Sequence, residues 1–348
     1  MSDYKWLTDK ESDLYSFKDL FDSNNSERTI EHLKWQYIDS YNNSNRFVLA
    51  GVSDSEKLTG VYAIFQNRFI CDGKEVVGSQ SLDTLIAPEA RGQGLFNKFA
   101  AEVYKVAAEK EVDFVYGFPN GNSAHGFFNR LDWKNLDPLP FLILPISSRY
   151  IFSKVPVVNK ISKFIPNFKY VKKLKSNNNF IFKSNIDIDA DYDELWSEVS
   201  NKIKVGINRD SKYVNWRLAR PTEEYKNIAV YDRDNKLIGI CFYALKEKHG
   251  GSIGYIMDLI YLNEEVGAAL LNQATQDLKI NNCDAVLAWN FDHSFNHAAY
   301  KKNGFLNLPE KLRPIELHFG VRAFNPDLFS VLEARESWYL SYFDSDTV

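Results

Sequence analysis

The sequence predicts a tandem α/β (α+β) protein, two copies of one domain in which a mixed sheet carries helices on its faces. Three observations predict it. The chain has 348 residues, about twice the ~150 typical of one domain. Four sequence blocks recur in the same order in its two halves. Within each half, apolar runs of period two alternate with stretches of helical period.

The first block pairs Arg28 to Trp35 with Arg209 to Trp216, 181 positions on. The second is a hairpin: Phe47-Val48-Leu49-Ala50 then Gly60 to Phe65, against Ile228 to Tyr231 then Gly239 to Tyr243. In the third, Asp83 to Glu102 aligns without gaps onto Asp258 to Asp277; in the fourth, His125 to Trp133 parallels His297 to Phe305. Each copy therefore reads helix, hairpin, strand, helix, strand, helix, strand. In the first copy Leu95, Phe96, Phe99, Val103, Val106 and Ala107 recur at helical spacing after Gly94. Val112 to Gly117 is a short buried strand and Ser123 to Arg130 a second helix. The run Leu139 to Ile146, broken by Pro140 and Pro145, reads as an edge or crossover segment.

Composition narrows the class. With 45% hydrophobic and 25% charged residues, both halves can bury a core, and a disordered or fibrous chain is excluded. No run approaches 18 apolar residues and the first residues do not read as a signal peptide, so a cytoplasmic protein without an integral membrane segment is expected. Three scattered cysteines (Cys71, Cys241, Cys283) suggest neither a disulfide framework nor a metal, and a net charge of −4 disfavours nucleic acid.

The domain division expected is 1–146, a linker over 147–186, and 187–348. From Pro138 to Ile186 there are nine positive charges and no acidic residue, so the rest of the chain sums to −4 − 9 = −13. The linker reads either as attraction to an anionic ligand or membrane surface, or as a solvated segment whose Ile161, Phe164, Ile165 and Phe168 pack between the domains.

The most specific motif is Leu85-Ile86-Ala87-Pro88-Glu89-Ala90-Arg91-Gly92-Gln93-Gly94-Leu95-Phe96. A strand ends, a proline turn follows, and two glycines open an amphipathic helix. First-turn N–H groups have no internal partners and carry partial positive charge, which makes an anion cradle. Gly92 and Gly94 admit a phosphate where a Cβ would collide, and Arg91 adds fixed charge. Asn120-Gly121-Asn122-Ser123 follows one strand later.

In this context the motif resembles the acyl-coenzyme A site of the GCN5-related N-acetyltransferase (GNAT) superfamily, with its Arg/Gln-x-x-Gly-x-Gly/Ala signature in a tighter spacing. The resemblance covers residues 28 to 146 and, in degraded form, 209 to 320. It implies that each sheet is mainly antiparallel and twisted, and that the fourth strand bulges and splays from the fifth. It places main chain of Leu85 and Ile86 on pantetheine and the N–H groups of Arg91, Gly92, Gln93, Gly94, Leu95 and Phe96 on the pyrophosphate. Asn120 or Asn122 would lie near the sulfur, and a strand N–H would polarise the thioester oxygen. Opposite Arg91 to Gly94 the second copy has Val266-Gly267-Ala268-Ala269, so a single coenzyme A site, in the first copy, is expected.

Many family members carry a tyrosine acid five residues before the Phe of a Gly-Phe pair; here that position is Phe128, before Trp133, while the second copy keeps Tyr300 before Phe305. Two candidates for catalytic proton transfer remain, Asp83 on the strand and His125 in the helix after the asparagine turn. Asp258 and His297 recur at the same repeat positions, which gives each a structural reading too. For the acceptor, Arg209, Tyr213 and Arg217 could read a nucleotide diphosphate, while Trp35 and Trp216 read as core anchors. The resemblance is nearest to enzymes that acylate amino sugars linked to dTDP- or UDP-type nucleotides for surface polysaccharides such as O-antigen and lipopolysaccharide. The alternatives are an acyltransferase on a peptide or small amine, and a non-catalytic acyl-CoA-binding module. A monomer is expected, since two copies in one chain can bury the face that homodimers of the family share; a dimer is the alternative.

Overall fold

The computed structural model of the chain describes residues 3–8, 10–41, 46–154, 160, 164, 166–175, 179–313 and 315–346. The first half runs β1 (Asp3–Trp6), α1 (Glu11–Ser23), α2 (Ile30–Tyr37), β2 (Arg46–Val52), β3 (Leu58–Cys71), β4 (Lys74–Ile86), α3 (Leu95–Glu109), β5 (Phe114–Gly117), α4 (Gly121–Arg130), β6 (Lys134–Asn135) and β7 (Phe141–Pro145). After α5 (Ser148–Lys154) the series repeats as β8 (Ile181–Ser184), α6 (Ala190–Ser200), β9 (Val205–Ile207), α7 (Ser211–Leu218), β10 (Tyr225–Tyr231), β11 (Leu237–Lys248) and β12 (Gly251–Tyr261). It continues with α8 (Glu264–Ile280), β13 (Ala285–Trp289), α9 (His297–Lys302), β14 (Leu306–Asn307), β15 (Gly320–Ala323) and α10 (Phe329–Leu332). Local chemistry sets the helix starts: Thr29, Asp210 and Asn263 each accept a backbone N–H at the head of α2, α7 and α8.

The first sheet is ordered β1-β2-β3-β4-β5-β15-β6, with β9 beside the end of β3. The second, β8-β10-β11-β12-β13-β7-β14, repeats it strand for strand. Each has one parallel pair, β4 with β5 and β12 with β13, and all other pairs are antiparallel. The tandem mixed architecture expected from the sequence is the one observed.

The sheets do not respect a division at 146 and 187. β7 of the first half lies inside the second sheet, between β13 and β14, and β15 of the second half lies inside the first, between β5 and β6. The run 139–146 is thus a crossover into a sheet interior, not an edge. Pro140 precedes the strand and Pro145 ends it, where a missing N–H costs least. The exchange covers strand edges that would otherwise lie open. One buried cluster extends from Phe69 and Phe114 through Trp338 to Phe242 and Trp289, so the halves share a core.

The junction between halves is centred on two tryptophans. Trp35 and Trp216 stack with centroids 4.6 Å apart and planes 8° from parallel. Around them the C-terminal segment 341–346 threads between the halves, taking bonds from Tyr213 and Gln80 on its carbonyls. That junction leaves no place for the linker's aromatics. Phe164 and Phe168 are 79% and 70% exposed, correcting the expectation that they pack between domains; Ile161 and Ile165 lie outside the described residues. Lys169 pairs with Asp284 at 3.4 Å and Lys154 donates to the His249 carbonyl at 2.6 Å, which ties this segment to the second sheet.

Candidate active site

β4 departs from regular pairing at one point. Tyr62 of β3 faces Thr84 and Ile64 faces Ser81, so Leu82 and Asp83 together oppose Ala63 and form a bulge. On its other side β4 pairs with β5 from Gly78–Phe114 to Ser81–Gly117 and then stops. The strands diverge there around a cavity of about 140 Å³ lined by Ser81, Leu82 and Thr84 on one side and Gly117 to Asn120 on the other, with Ser123, Phe127 and Trp133 closing it. Thr84 Oγ1 is buried without a hydrogen-bond partner, a polar group that a ligand in the cleft would satisfy.

Backbone alternation decides which main chain faces this opening. The Ala87 N–H bonds the Thr59 carbonyl of β3, so Leu85, two residues earlier and opposite Val61, also directs its peptide groups to β3. Thr84 and Ile86 face the open side instead. Of the two residues expected to offer main chain to pantetheine, Ile86 is placed to do so and Leu85 is not.

Beyond β4, a tight turn over Pro88–Ala90 leads to the glycines. Gly92 and Gly94 have φ of +80° and +71°, a left-handed backbone that disfavours any side chain. A Cβ at either would meet nothing within 4 Å, so the space above them is open. Gly94 is the N-cap of α3 and no side chain caps that end, which leaves first-turn N–H groups for an anion. Arg91 is exposed at the rim, with Nη2 donating to Asn24 Oδ1 at 2.8 Å, and Gln93 is exposed beside it. Leu95 is buried beneath. Phe96 packs on Phe127 at 5.2 Å, and Gly126 permits that approach, since a Cβ there would lie 2.6 Å from the Phe96 ring. These residues fit a diphosphate at the helix and a polar arm in the cleft.

Asn120 lines the cleft and caps α4, its Oδ1 accepting the N–H groups of Asn122 and Ser123 at 3.0 and 3.1 Å. Asn122 is exposed and does not line the cleft. His125 is placed away from it. Ser123 and Phe127, one turn apart, face the cavity, so His125 between them points outward, where its ring bonds Asn129. That corrects the expectation of a catalytic role for His125.

Asp83 is held at the bulge and buried. Its Oδ2 accepts from Tyr37 Oη at 2.6 Å and Gln36 Nε2 at 3.3 Å, both on α2. Burial raises its pKa above the ordinary carboxylate value, against the lowering effect of Arg28. The carboxyl sits at the point where β4 leaves β5 and faces α2; unlike Leu82 and Thr84 on either side of it, it is not among the residues that line the cleft.

The expected acceptor residues are elsewhere. Arg209, Tyr213 and Arg217 are buried. Arg209 pairs with Asp258 and Asp344, Tyr213 Oη donates to the Phe343 carbonyl at 2.7 Å, and Arg217 Nη2 donates to the Ser345 carbonyl at 2.8 Å. All three are buried against the C-terminal segment, with Arg209 also against Asp258 and the Ile207 carbonyl, which corrects the expectation that they read a nucleotide diphosphate.

Comparison with known proteins agrees with this geometry. The profile of the Acetyltransferase (GNAT) domain family matches residues 8–135. Residues 8–135 are a GNAT domain. No curated protein matches the chain by sequence. Among solved structures the chain is similar to a conserved protein of unknown function from Enterococcus faecalis V583, described there as "Probable N-Acyltransferase" (TM-score 0.63, 14% identity, 95% of this chain and 75% of that one). It is also similar to a GCN5-related N-acetyltransferase from Anabaena variabilis (0.64, 13%, 92% and 73%). A third is a Saccharomyces cerevisiae N-myristoyltransferase solved with bound myristoyl-CoA (0.61, 12%, 93% and 79%). At these identities the likeness is one of fold, extending over both halves. Among the described residues no helix is long and apolar enough to cross a membrane, and no group of three His, Cys, Asp or Glu side chains gathers as for a metal.

Around the cleft lie residues and contacts that sequence reasoning did not bring together. Thr84 sits between two named positions and strand alternation alone could have turned it to the cleft. Phe128, at the position of the family's tyrosine, lies edge-on to His318, centroids 6.1 Å apart. His318 belongs to the second half: its N–H bonds the Pro119 carbonyl and its Nδ1 lies 2.5 Å from Asp137 Oδ2. No sequence signal links positions 137 and 318; only the strand exchange brings them together.

Proposed function

We propose that the chain is an acyl-CoA-dependent N-acyltransferase with one working site, in the first half, acting on a primary amine. The observation that carries this reading is the conjunction of the open glycine cradle at the head of α3 with the diverging cleft between β4 and β5. The second half supports a single site. At the position of the cradle it has Asn263 capping α8 and Tyr261 filling the space above Gly267, where a Cβ would lie 2.3 Å from the ring.

When bound, acyl-CoA supplies an activated thioester that an unprotonated amine attacks directly. The chain's own part is to bind and orient. Gly92 to Phe96 hold the diphosphate through main-chain N–H groups, and Thr84 and Ile86 offer main chain and hydroxyl to the arm. An N–H on the open edge of β4 faces the thioester oxygen as negative charge develops there. Asp83, behind the cleft wall, takes through a water the proton released as the amine nitrogen bonds the acyl carbon. The C–S bond then breaks, and the thiolate takes a proton from water, since Phe128 has no hydroxyl to give.

For the acceptor we retain a dTDP- or UDP-linked amino sugar as the first class to test. What supports it is the family resemblance, while the buried state of Arg209, Tyr213 and Arg217 removes the residues that argued for a nucleotide. A thiol-release assay crossing several acyl-CoAs with nucleotide-linked amino sugars, amino-terminal peptides and polyamines tests the reading. Thiol release with an amine class supports the enzyme. Coenzyme A binding without release from any pair would leave a binding module.

A further inference from the structure

After each exchanged strand the chain runs on through several aromatic residues, and the two runs end differently. Beyond β15, Trp338, Tyr339, Tyr342 and Phe343 are at most 4% exposed and belong to the core that the halves share. Beyond β7, Phe164, Phe168 and Tyr170 are 79%, 70% and 69% exposed, more than any other described Phe, Tyr or Trp. Charge separates the two runs as well. Residues 324–346 hold five acids and one arginine, whereas 138–186 hold nine cations and no acid.

The backbone that carries the exposed rings is fastened down. Residues 146–148 and 168–170 pair about an antiparallel bridge between Ser147 and Lys169. The Ser148 N–H bonds the Phe168 carbonyl at 3.0 Å, and the Tyr170 N–H bonds the Ile146 carbonyl at 3.1 Å. Val171 is buried in the core of the second half. Asn272 of α8 then bonds both the Leu174 N–H and the Lys172 carbonyl, at 3.1 and 2.7 Å. With Lys169 turned to Asp284 and Val171 turned inward, alternation sends Phe168 and Tyr170 out to solvent. The short helix α5, which starts at Ser148, buries no residue and exposes Phe152 one turn on. A fixed display of large apolar side chains marks a surface that another body covers.

Charge complementarity identifies that body. Asp284 is matched by Lys169 at 3.4 Å, while Lys172, Lys173 and Lys175 stand exposed on the same run. Lys302, at the end of α9, adjoins them, its carbonyl accepting from Lys172 Nζ at 3.5 Å. The partner is therefore anionic as well as apolar. An acidic protein would need pockets shaped to the rings. The interfacial region of a bilayer takes aromatic rings and lysine stems without such matching, and its headgroups supply the negative charge.

We propose that Phe168 and Tyr170, with Lys172, Lys173 and Lys175, dock the protein on a membrane surface rich in anionic lipid. The net negative remainder of the chain is repelled by such a surface, so the protein meets it with this segment foremost. The contact is peripheral, and it does not depend on the acyltransferase reading.

The test sediments the full chain with vesicles of equal parts phosphatidylglycerol and phosphatidylcholine, and with vesicles of phosphatidylcholine alone. Binding should be strong to the first and weak to the second. Lys172→Gln with Lys173→Gln and Lys175→Gln should weaken it about a hundredfold. Phe168→Ser with Tyr170→Ser should weaken it about tenfold, and what remains should vanish in high salt. These side chains are exposed, so thermal unfolding of both variants should match the wild type. Polyglutamate offers charge without an apolar phase, and loss of the two aromatics should leave its binding unmoved. Absence of binding to the anionic vesicles, or binding that survives loss of both aromatics, would overturn the proposal. A chain that binds polyglutamate and no vesicle would overturn it too, in favour of an acidic protein partner.

Discussion

Trp35 and Trp216, 181 positions apart, each donate their indole N–H to the other's main-chain carbonyl, at 2.7 and 3.1 Å. The exchange is reciprocal, the same donor on each side meeting the same acceptor, as in a two-fold dimer interface. Here both partners belong to one chain. Replacing either by Ala removes a stacked ring and leaves a carbonyl unbonded, so each should cost about 3 kcal/mol or more. Because the two act as one contact, Trp35→Ala with Trp216→Ala should cost clearly less than the sum. Urea unfolding of the four proteins measures it, and additive losses would contradict a shared contact.

Gly94→Val forces a β-branched residue into a left-handed backbone and puts a side chain over the head of α3. Fold stability should fall by only ~1–2 kcal/mol, since a Cβ there meets no neighbour. Coenzyme A affinity by calorimetry should fall much further. Unaltered affinity would remove the diphosphate from this helix.

Arg209→Met leaves Asp258 and Asp344 buried without their cation, which should cost ~3–5 kcal/mol. Any folded fraction should keep its acceptor KM, measured at low temperature. A selective rise in acceptor KM, with stability intact, would restore Arg209 to the substrate site.

Two histidines should titrate in opposite senses. Burial, then Arg28 and Arg220, press His32 down to about 4 from its ordinary 6.5. His318 is raised: burial opposes its charge, but the hydrogen bond to Asp137 prevails, with Glu316 adding to it. His32 binds its proton more readily unfolded than folded, so its contribution to stability is present above pH ~6.5 and lost as pH falls toward 4. That of His318 is present below pH ~6.5 and lost as pH rises through its folded value. Imidazole NMR across pH 4–8 reads both, and thermal unfolding of His32→Gln should lose sensitivity to acid. A His32 signal titrating at 6.5 would contradict its burial.

Fragments 1–146 and 187–348, expressed apart, should each fail to fold, because each lacks a strand from its sheet interior. Co-expressed, they should associate and recover coenzyme A binding. Two independently folded fragments by circular dichroism would contradict the importance of the exchange.

Much of this was legible in the sequence. The repeat blocks located α2 and α7, both hairpins and both long helices, because residue spacing carries local periodicity directly. The glycine turn was legible because positive φ favours glycine. The strand exchange was not, since β7 and β15 look like any short apolar run and only sheet order tells which neighbour each one takes. Arg209, Tyr213 and Arg217 misled for a related reason: hydrogen-bonding side chains on a short helix look the same whether they meet a ligand or the chain's own tail. Leu85 misled by one residue, because which way a peptide faces depends on a register that sequence does not give.

The position of β15 also bears on synthesis. Its strand lies between β5 and β6, so the sheet holding the β4–β5 cleft gains that member only once residue 323 has left the ribosome. A nascent polypeptide cut short before β15 would carry every glycine of the cradle and still lack a strand from the interior of the sheet that bears it.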